Sequence, residues 1–209
     1  MTNTNIFTVY GMTLSGNCHK IKTILELTKK EYTWIETDTR QKATHSAEFR
    51  AKNPNGEVPL LQLPDGRCLP ESNAILFYLA QHTPYWPTET ADEFDRAGVM
   101  RWMFFEQYSH EPYIAVNRAR LALFRDATPE DPAVRSRHTK GVKTLGVMND
   151  HLATHDFFAA ARVTIADISL FAYTHVAHEG GFDLNEFPKV QAWLKRLYDH
   201  GFAAMPPAN

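Results

Sequence analysis

Cysteine is scarce in this chain of 209 residues, in which Cys18 and Cys68 are the only two. Two cysteines are too few for a disulfide framework or for a cysteine-rich zinc site. Histidine is more frequent, but its ten copies include no H-E-x-x-H or similar ligand pair. His151 and His155 have helical i, i+4 spacing within a polar segment, which favours a solvated helix face. The sequence therefore predicts no metal site.

The chain also lacks an excess of charge of one sign and any long apolar run. Its formal net charge of -2 gives no electrostatic reason to expect nucleic acid or an anionic membrane as a partner. No apolar run approaches the length of a membrane span, and residues 1–5 lack a basic and then apolar signal pattern. With 44 % hydrophobic and 22 % charged residues, the composition is that of a soluble globular protein. We therefore expect a cytoplasmic location.

An apolar alternating run at residues 6–10 predicts a strand that ends at Gly11. A helical pattern begins just after Ser15, with Cys18 and Ile21 on its inner face. Ser15 stands at the N-cap position, where its hydroxyl and the free amides of the first turn converge. Such a helix N-terminus favours a negative charge, whether a carboxylate, a phosphate or a thiolate.

The rest of the first 80 residues alternates between strand and helix signals in the order β-α-β-α-β-β-α. Pro59 stands at the start of the third strand, where proline is tolerated. After the first helix, which we expect to end near Lys30, the predicted segments are a strand at 32–37, a short or irregular helix within 38–52, a turn at 53–56, strands at 57–63 and 68–70, and a helix at 74–80.

Prolines at positions 84 and 87 end this pattern, and strand signals vanish beyond them. We therefore divide the chain into a first domain at 1–82, a linker at 83–90 and a second, all-helical domain at 91–209. Within the second domain, Thr164 and Asp167 form a capping box before a helix that is apolar nearly all round, which predicts the buried centre of that domain. The other predicted helices span 91–110, 114–124 and 132–155, and a last one begins near 187.

Three motifs, at 53–59 (NPNGEVP), 71–76 (ESNAIL) and 164–167 (TIAD), make the chain resemble the glutathione transferase family over nearly its whole length. The resemblance implies an α/β plus all-α fold, with an N-terminal thioredoxin-like βαβαββα domain followed by a C-terminal all-helical domain. It also implies a cytoplasmic, homodimeric detoxification enzyme that uses glutathione as co-substrate and no metal. The segment 15–18 (SGNC) is similar to the serine-type classes (theta, phi and related bacterial enzymes).

The resemblance implies that Ser15 stabilises the glutathione thiolate. A free thiol has a pKa near ~8.5, and lowering it by about two units requires roughly 2.7 kcal/mol of preferential thiolate stabilisation. A hydroxyl donor contributes about 1.5–3 kcal/mol and the helix N-terminus roughly 0.3–1 kcal/mol, so the two together suffice. Asn17, whose carboxamide can also donate to sulfur, is the second catalytic candidate. Taken alone, Ser15 would be interpreted as an ordinary N-cap.

Further glutathione contacts follow from the same resemblance. A cis bond between Val58 and Pro59 would turn the Val58 backbone groups outward to pair with the cysteinyl part of glutathione, although the sequence alone favours a trans proline at an edge strand. Ser72, with its backbone amide, holds the γ-glutamyl carboxylate at a helix start, and Glu71 helps to position the same moiety. An ordinary helix cap is the alternative for Ser72. The candidates for the glycyl carboxylate are Lys42, Thr44 and His45, and a solvated surface position is the alternative for each of them.

We expect the pocket for a small, apolar electrophile to lie between the two domains. The candidate residues for this pocket are Thr13, Tyr108, His110 and Tyr113. Aromatic side chains at helical spacing are also typical of a core, so the spacing alone leaves both interpretations open.

Two other functions stay open. A glutathione-dependent disulfide or peroxide reductase could use Cys18, because a helix N-terminus lowers the pKa of a thiol. The position of Cys18 on the inner helix face instead favours a buried, inert thiol. The third hypothesis is a non-catalytic binding module with the same fold, because fold alone does not determine function.

Overall fold

The computed structural model describes residues 6–87 and 91–208. The parts of the predicted domains and linker that fall at 1–5, 88–90 and 209 lie outside the described residues. A single sheet has the strand order β2-β1-β3-β4. β1 pairs parallel with β2 and antiparallel with β3, and β3 pairs antiparallel with β4. Its strands are β1 (Phe7–Gly11), β2 (Tyr32–Glu36), β3 (Leu60–Gln62) and β4 (Cys68–Pro70).

Three α-helices belong to the sheet region: α1 (Gly16–Leu27), α2 (Ala47–Lys52) and α3 (Ser72–Ala80). The irregular helix predicted before residue 52 is a pair of 3₁₀ turns followed by α2. β3 is shorter than the predicted strand at 57–63, because Pro59 offers no N–H to the ladder. The βαβαββα order, and with it the predicted fold class, is confirmed.

The described residues from 93 onward are helical or irregular. Two π-helical turns, at Glu106–His110 and Ala119–Leu123, follow α4 and α5 directly. The five α-helices are α4 (Glu93–Phe105), α5 (Glu111–Arg118), α6 (Pro132–His151), α7 (Ile165–Thr174) and α8 (Pro188–Asp199).

The break predicted between helices at 91–110 and 114–124 is wrong. The chain stays helical through Pro112, because the π turn before it is closed by a bond from the Glu111 N–H to the Glu106 carbonyl. Pro112 then occupies the first turn of α5, where a backbone N–H is not needed.

All ten residues of α7 are buried, as its apolar pattern predicts. The predicted capping box is present: Asp167 accepts the Thr164 N–H at 2.9 Å, and the Thr164 side chain accepts the N–H of Asp167 in return. Asp167 also accepts the Trp193 indole N–H of α8 at 3.0 Å. Burial raises the pKa of this carboxyl to about 6, since these donors offset only part of the lost hydration.

α7 packs against α1, and this contact brings the helical region to the start of α1. The approach depends on Gly16, because a Cβ atom there would lie 2.5 Å from the Tyr173 ring. The N-terminus of α1 is therefore at the boundary between the sheet region and the helical region.

Candidate active site

The loop between β1 and α1 holds Ser15 in a defined position. Ser15 is the N-cap of α1, as predicted: its Oγ accepts the Cys18 N–H at 3.4 Å. Its own N–H donates to the Met12 carbonyl at 2.9 Å. The Ser15 side chain is half-buried, and a hydroxyl that accepts one hydrogen bond still has a hydrogen to donate.

The helical region fixes the same loop from the other side. Nη1 of Arg118 donates to the Leu14 carbonyl at 2.7 Å. Arg118 is itself buried, and its Nε donates to Glu179 at 2.6 Å. Because the Leu14–Ser15 peptide is bonded at both its carbonyl and its N–H, the backbone that carries Ser15 has little freedom to rotate.

A cavity of 310 Å³ opens beside Ser15, between the sheet region and α5. Its helical wall is largely apolar, whereas its other wall contains polar groups from the loops after β1, β2 and α2. The helical wall is formed by Ala115, Arg118, Ala119, Leu123, Phe124 and Tyr173, and the opposite wall includes Thr39, Thr44, His45, Gly56, Glu57 and Val58.

Tyr173 places a phenol oxygen against the start of α1. The backbone N–H of Asn17 donates to this oxygen at 3.3 Å, and the Ser15 side chain lies close enough to affect the phenol's ionisation. The side chain is only 7 % exposed, and burial raises the pKa of the Tyr173 phenol. The phenol is therefore protonated at neutral pH and borders the same cavity as Ser15.

A second, more polar cavity of 180 Å³ adjoins the first and shares Glu57 and Val58 with it. The Val58–Pro59 bond between them is cis, as the resemblance implies. The second cavity is lined by Asn17, Asn53, Asn55, Glu57, Val58, Pro59, Glu71, Ser72, Gln107 and Glu111.

Glu71 and Ser72 lie where α3 begins. Glu71 has a φ of 71°, a left-handed conformation that is strained for a residue other than glycine. The Ser72 hydroxyl donates to Asn17 Oδ1 at 3.2 Å. The Asn17 amide in turn donates to Glu111 at 3.4 Å, so its side chain belongs to the smaller cavity.

A buried ion pair lies beneath the smaller cavity. Lys20 Nζ donates to Glu106 Oε2 at 2.9 Å, and both side chains are fully buried. Lys20 also donates to the Ser72 hydroxyl at 3.3 Å, while Asn73 and Ser169 donate to Glu106 at 3.0 and 3.1 Å. Hydrogen bonds of this kind are what make a buried charge pair tolerable. The network connects α1, α3 and α7 and fixes the base of the site.

Cys18 is fully buried directly below Ser15. Its sulfur accepts the Met12 N–H at 3.3 Å, and burial raises the pKa of the thiol to about 12. A thiol in this environment is neither accessible nor ionised at neutral pH.

The four residues predicted for the electrophile pocket do not line the larger cavity. Thr13 donates to Glu36 through both its N–H (2.9 Å) and its hydroxyl (2.7 Å). Tyr108 is 82 % exposed, and Tyr113 lies beneath the Lys140 ammonium. His110 is fully buried against Thr174, and burial lowers its pKa to about 4. Tyr108 and His110 lie within the π turn at 106–110, and Tyr113 lies in α5 just after it.

The three candidates for the glycyl carboxylate separate in the structure. Thr44 and His45 border the larger cavity, Thr44 buried and His45 exposed. Lys42 is exposed and borders neither of the two cavities.

Sequence reasoning missed Tyr173, Arg118 and Glu111. All three belong to the helical region, and they reach the site through contacts that span about a hundred residues or more. The only sequence signal was an arginine and a tyrosine on otherwise apolar helical faces, which does not specify where the side chain goes.

No helix of the described residues is long and apolar enough to cross a membrane. Within the same residues, no group of three or more His, Cys, Asp or Glu side chains is arranged to hold a metal ion.

Comparison with known proteins finds similarity in both regions of the chain. Residues 6–81 match the family model for the glutathione S-transferase N-terminal domain, and residues 131–196 match the model for the C-terminal domain. A crystal structure of a glutathione S-transferase from Pseudomonas fluorescens is similar, with a TM-score of 0.90 and 44 % identity over 96 % of this chain and 98 % of that one. The glutathione S-transferase-like protein FUS3 of Gibberella fujikuroi is 33 % identical over 73 % of each chain. Glutathione S-transferase GstA of Escherichia coli is 29 % identical over 80 % of this chain and 81 % of that one. The chain is therefore a member of the glutathione S-transferase family.

Proposed function

We propose that this protein is a glutathione transferase that holds the glutathione thiolate at the Ser15 hydroxyl and conjugates it to small, apolar electrophiles. The observation that carries the proposal is the position of Ser15, which caps α1 and borders a 310 Å³ cavity that continues into a polar one. Both a hydroxyl and a helix N-terminus stabilise an anionic sulfur.

The smaller cavity suits the γ-glutamyl end of glutathione. Its α-carboxylate would meet the free N–H of Ser72 at the start of α3, with the Lys20 ammonium 3.3 Å behind the Ser72 hydroxyl. Its ammonium group would face Glu57, Glu71 and Glu111, all of which line this cavity.

The middle and the glycyl end of the tripeptide extend into the larger cavity. The outward backbone groups of Val58, next to the cis proline, pair with the cysteinyl part like an added strand. Thr44 and His45 are then the residues near the glycyl carboxylate. This arrangement brings the sulfur to Ser15, whereas Asn17 orients Ser72 and Glu111 instead of contacting sulfur.

The apolar helical wall of the larger cavity supports a small, apolar electrophile as second substrate. The thiol proton passes to water, and the sulfur electron pair forms a bond to the electrophilic carbon. A leaving group departs with its bonding electrons in a substitution, or a solvent proton completes an addition.

The test is the substitution Ser15→Ala. Loss of one charge-assisted hydrogen bond of about 1.5–3 kcal/mol predicts a decrease in kcat of roughly 10- to 100-fold, with a much smaller change in glutathione affinity. Ser46→Ala is the matched control, because Ser46 caps α2 with the same geometry (3.2 Å to the Phe49 N–H) outside the cavity lining. Both variants lose about 1 kcal/mol of stability as caps. Equal turnover in Ser15→Ala and Ser46→Ala would remove Ser15 from the chemistry.

The two alternative functions make different demands on the site. A reductase that uses Cys18 needs an accessible thiolate, which the buried position of Cys18 opposes. A non-catalytic binding module predicts no turnover with any electrophile, and a lack of saturable glutathione binding in calorimetry would overturn the proposed function altogether.

We also propose a homodimer in which α3 and α4 form the interface. Phe77 and Phe104 are exposed and border an apolar groove of 380 Å³ between these helices, which a second copy of the chain would cover. The proposed units are a glutathione-binding domain at 1–82, a linker at 83–90 and a helical domain at 91–209. A cytoplasmic role in detoxification is part of the same proposal.

A further inference from the structure

Tyr173 is the only tyrosine among the described residues that line the larger cavity. Its ring lies against Gly16, the residue that follows Ser15. A Cβ atom at position 16 would come within 2.7 Å of the ring carbon that bears the hydroxyl, so the glycine is what admits the phenol.

Tyr173 is the acceptor in its hydrogen bond with the Asn17 N–H, so the phenol hydrogen is not used in that bond. The phenol oxygen accepts the Asn17 N–H at 3.3 Å, which occupies one of its lone pairs. Burial keeps the phenol protonated at neutral pH, so its hydrogen must point to an acceptor. On the α1 side, the Asn17 N–H is a donor, and the Ser15 hydroxyl lies close to the phenol, so that an acceptor beside Ser15 in the cavity is within the reach of both hydroxyls.

We propose that Tyr173 is a second catalytic hydroxyl, which donates a hydrogen bond to the glutathione sulfur together with Ser15. The inference rests on the proposed function, because it requires the sulfur to lie at the start of α1. Two hydroxyls, one from each region of the fold, then converge on a single thiolate.

The second donor adds to the selectivity of the site for the anionic sulfur. A hydrogen bond to a charged acceptor is about twice as strong as one to a neutral acceptor, so it favours the thiolate over the thiol and lowers the thiol pKa. Loss of the donor therefore raises that pKa. The loss of rate that results is largest at pH values below the pKa of the bound thiol. It disappears at pH values above that pKa, where the thiol is ionised in any case.

The experiment compares Tyr173→Phe with the unchanged protein and with Tyr198→Phe. The phenylalanine keeps the ring on Gly16 and removes only the hydroxyl. Tyr198, on α8, packs its ring against Phe171 and does not border the cavity, so it controls for loss of a phenol elsewhere. The readouts are the pKa of bound glutathione from thiolate absorbance, the pH profile of kcat/KM with an aryl halide, and glutathione affinity by calorimetry.

We expect Tyr173→Phe to raise the pKa of bound glutathione by about one unit. At pH 5.5, one unit below a bound pKa of about 6.5, kcat/KM should fall about tenfold, and the loss should vanish at alkaline pH. Glutathione affinity at pH 5.5 should change less than twofold, and Tyr198→Phe should behave like the unchanged protein. An unaltered thiol pKa in Tyr173→Phe overturns the inference, as does a rate loss that is equal at all pH values, which would indicate a structural effect.

Ser15→Ala, measured in parallel, separates this inference from the proposed function. If Ser15→Ala raises the thiol pKa and Tyr173→Phe does not, the proposed function stands and the role of Tyr173 is refuted. If Tyr173→Phe raises it and Ser15→Ala does not, the phenol is the donor, and the assignment of Ser15 fails instead.

Discussion

A buried histidine, His175, binds the segment that follows α8, and it can do so only while it is neutral. We therefore predict that acid lowers the stability of the protein through this residue. His175 is 8 % exposed and stacks on the Phe171 ring at 4.3 Å between centroids. Its Nδ1–H donates to the Phe171 carbonyl at 2.7 Å, and its Nε2 accepts the Met205 N–H at 3.0 Å. A proton on Nε2 would abolish the second of these bonds. Burial lowers the pKa of His175 to about 3, and the nearby His19 and Arg118 oppose a further positive charge.

The direction of the pH dependence follows from the difference in the pKa of His175 between the folded and the unfolded protein. An unfolded chain binds a proton on this histidine below a pKa of about 6.5, whereas the folded protein does not until the pH is near its much lower native value. The contribution of His175 to stability is therefore complete above pH 6.5 and is lost as the pH falls toward 3. Between pH 7.5 and 5 the loss is about 2 kcal/mol, set by the unfolded pKa alone. This value does not depend on how low the native pKa is.

The perturbation is His175→Gln, whose amide can accept the Met205 N–H and donate to the Phe171 carbonyl without titrating. Urea unfolding at pH 7.5, 6.5, 5.5 and 5 measures the free energy of unfolding of this variant, of the parent and of His155→Gln, an exposed control. We expect the His175→Gln curve to fall about 2 kcal/mol less than the other two between pH 7.5 and 5. Parallel curves for His175→Gln and the parent would refute the reasoning, because they would mean that the folded protein protonates His175 as readily as the unfolded chain does.

Two further predictions concern the remaining cysteine and the proposed interface. In a Cys68→Ala background, Cys18 should not react with iodoacetamide at pH 8 in the folded protein and should react fully in urea. The reason is that its thiol is buried and has a pKa of about 12. Rapid labelling of the folded protein would contradict this prediction and support the reductase hypothesis. Phe104, which is 66 % exposed, borders the groove, and Phe104→Glu should shift the protein from dimer to monomer in sedimentation without loss of thermal stability of the subunit. Phe94→Glu, at an exposed site outside the groove, should leave the dimer intact. A monomeric parent protein would refute the dimer proposal.

Much of the fold could be predicted because its signals are local. The capping box of Thr164 and Asp167 lies within four residues. The N-cap is equally local, because the Ser15 hydroxyl accepts the N–H of Cys18, only three residues further along the chain. Strand alternation and helix periodicity, likewise, are read over a single turn or a few residues. The break expected at Pro112 is absent because the π turn before it is defined by the backbone bond from the Glu111 N–H to the Glu106 carbonyl, which residue periodicity does not reveal.

The sequence by itself determined the order of the elements, the family to which the chain belongs, and the position of Ser15 at a helix start, because each depends on neighbouring residues. Only the tertiary structure decided which side chains surround that helix start. Tyr173 meets Asn17 across 156 residues, and Arg118 meets Leu14 across 104. Contacts of this kind are set by how α5 and α7 pack on α1, where a shift of one residue turns a side chain from the cavity into the core. For the same reason Tyr108, His110 and Tyr113, which we expected in the electrophile pocket, lie outside the cavity, whereas Tyr173 and Arg118 border it.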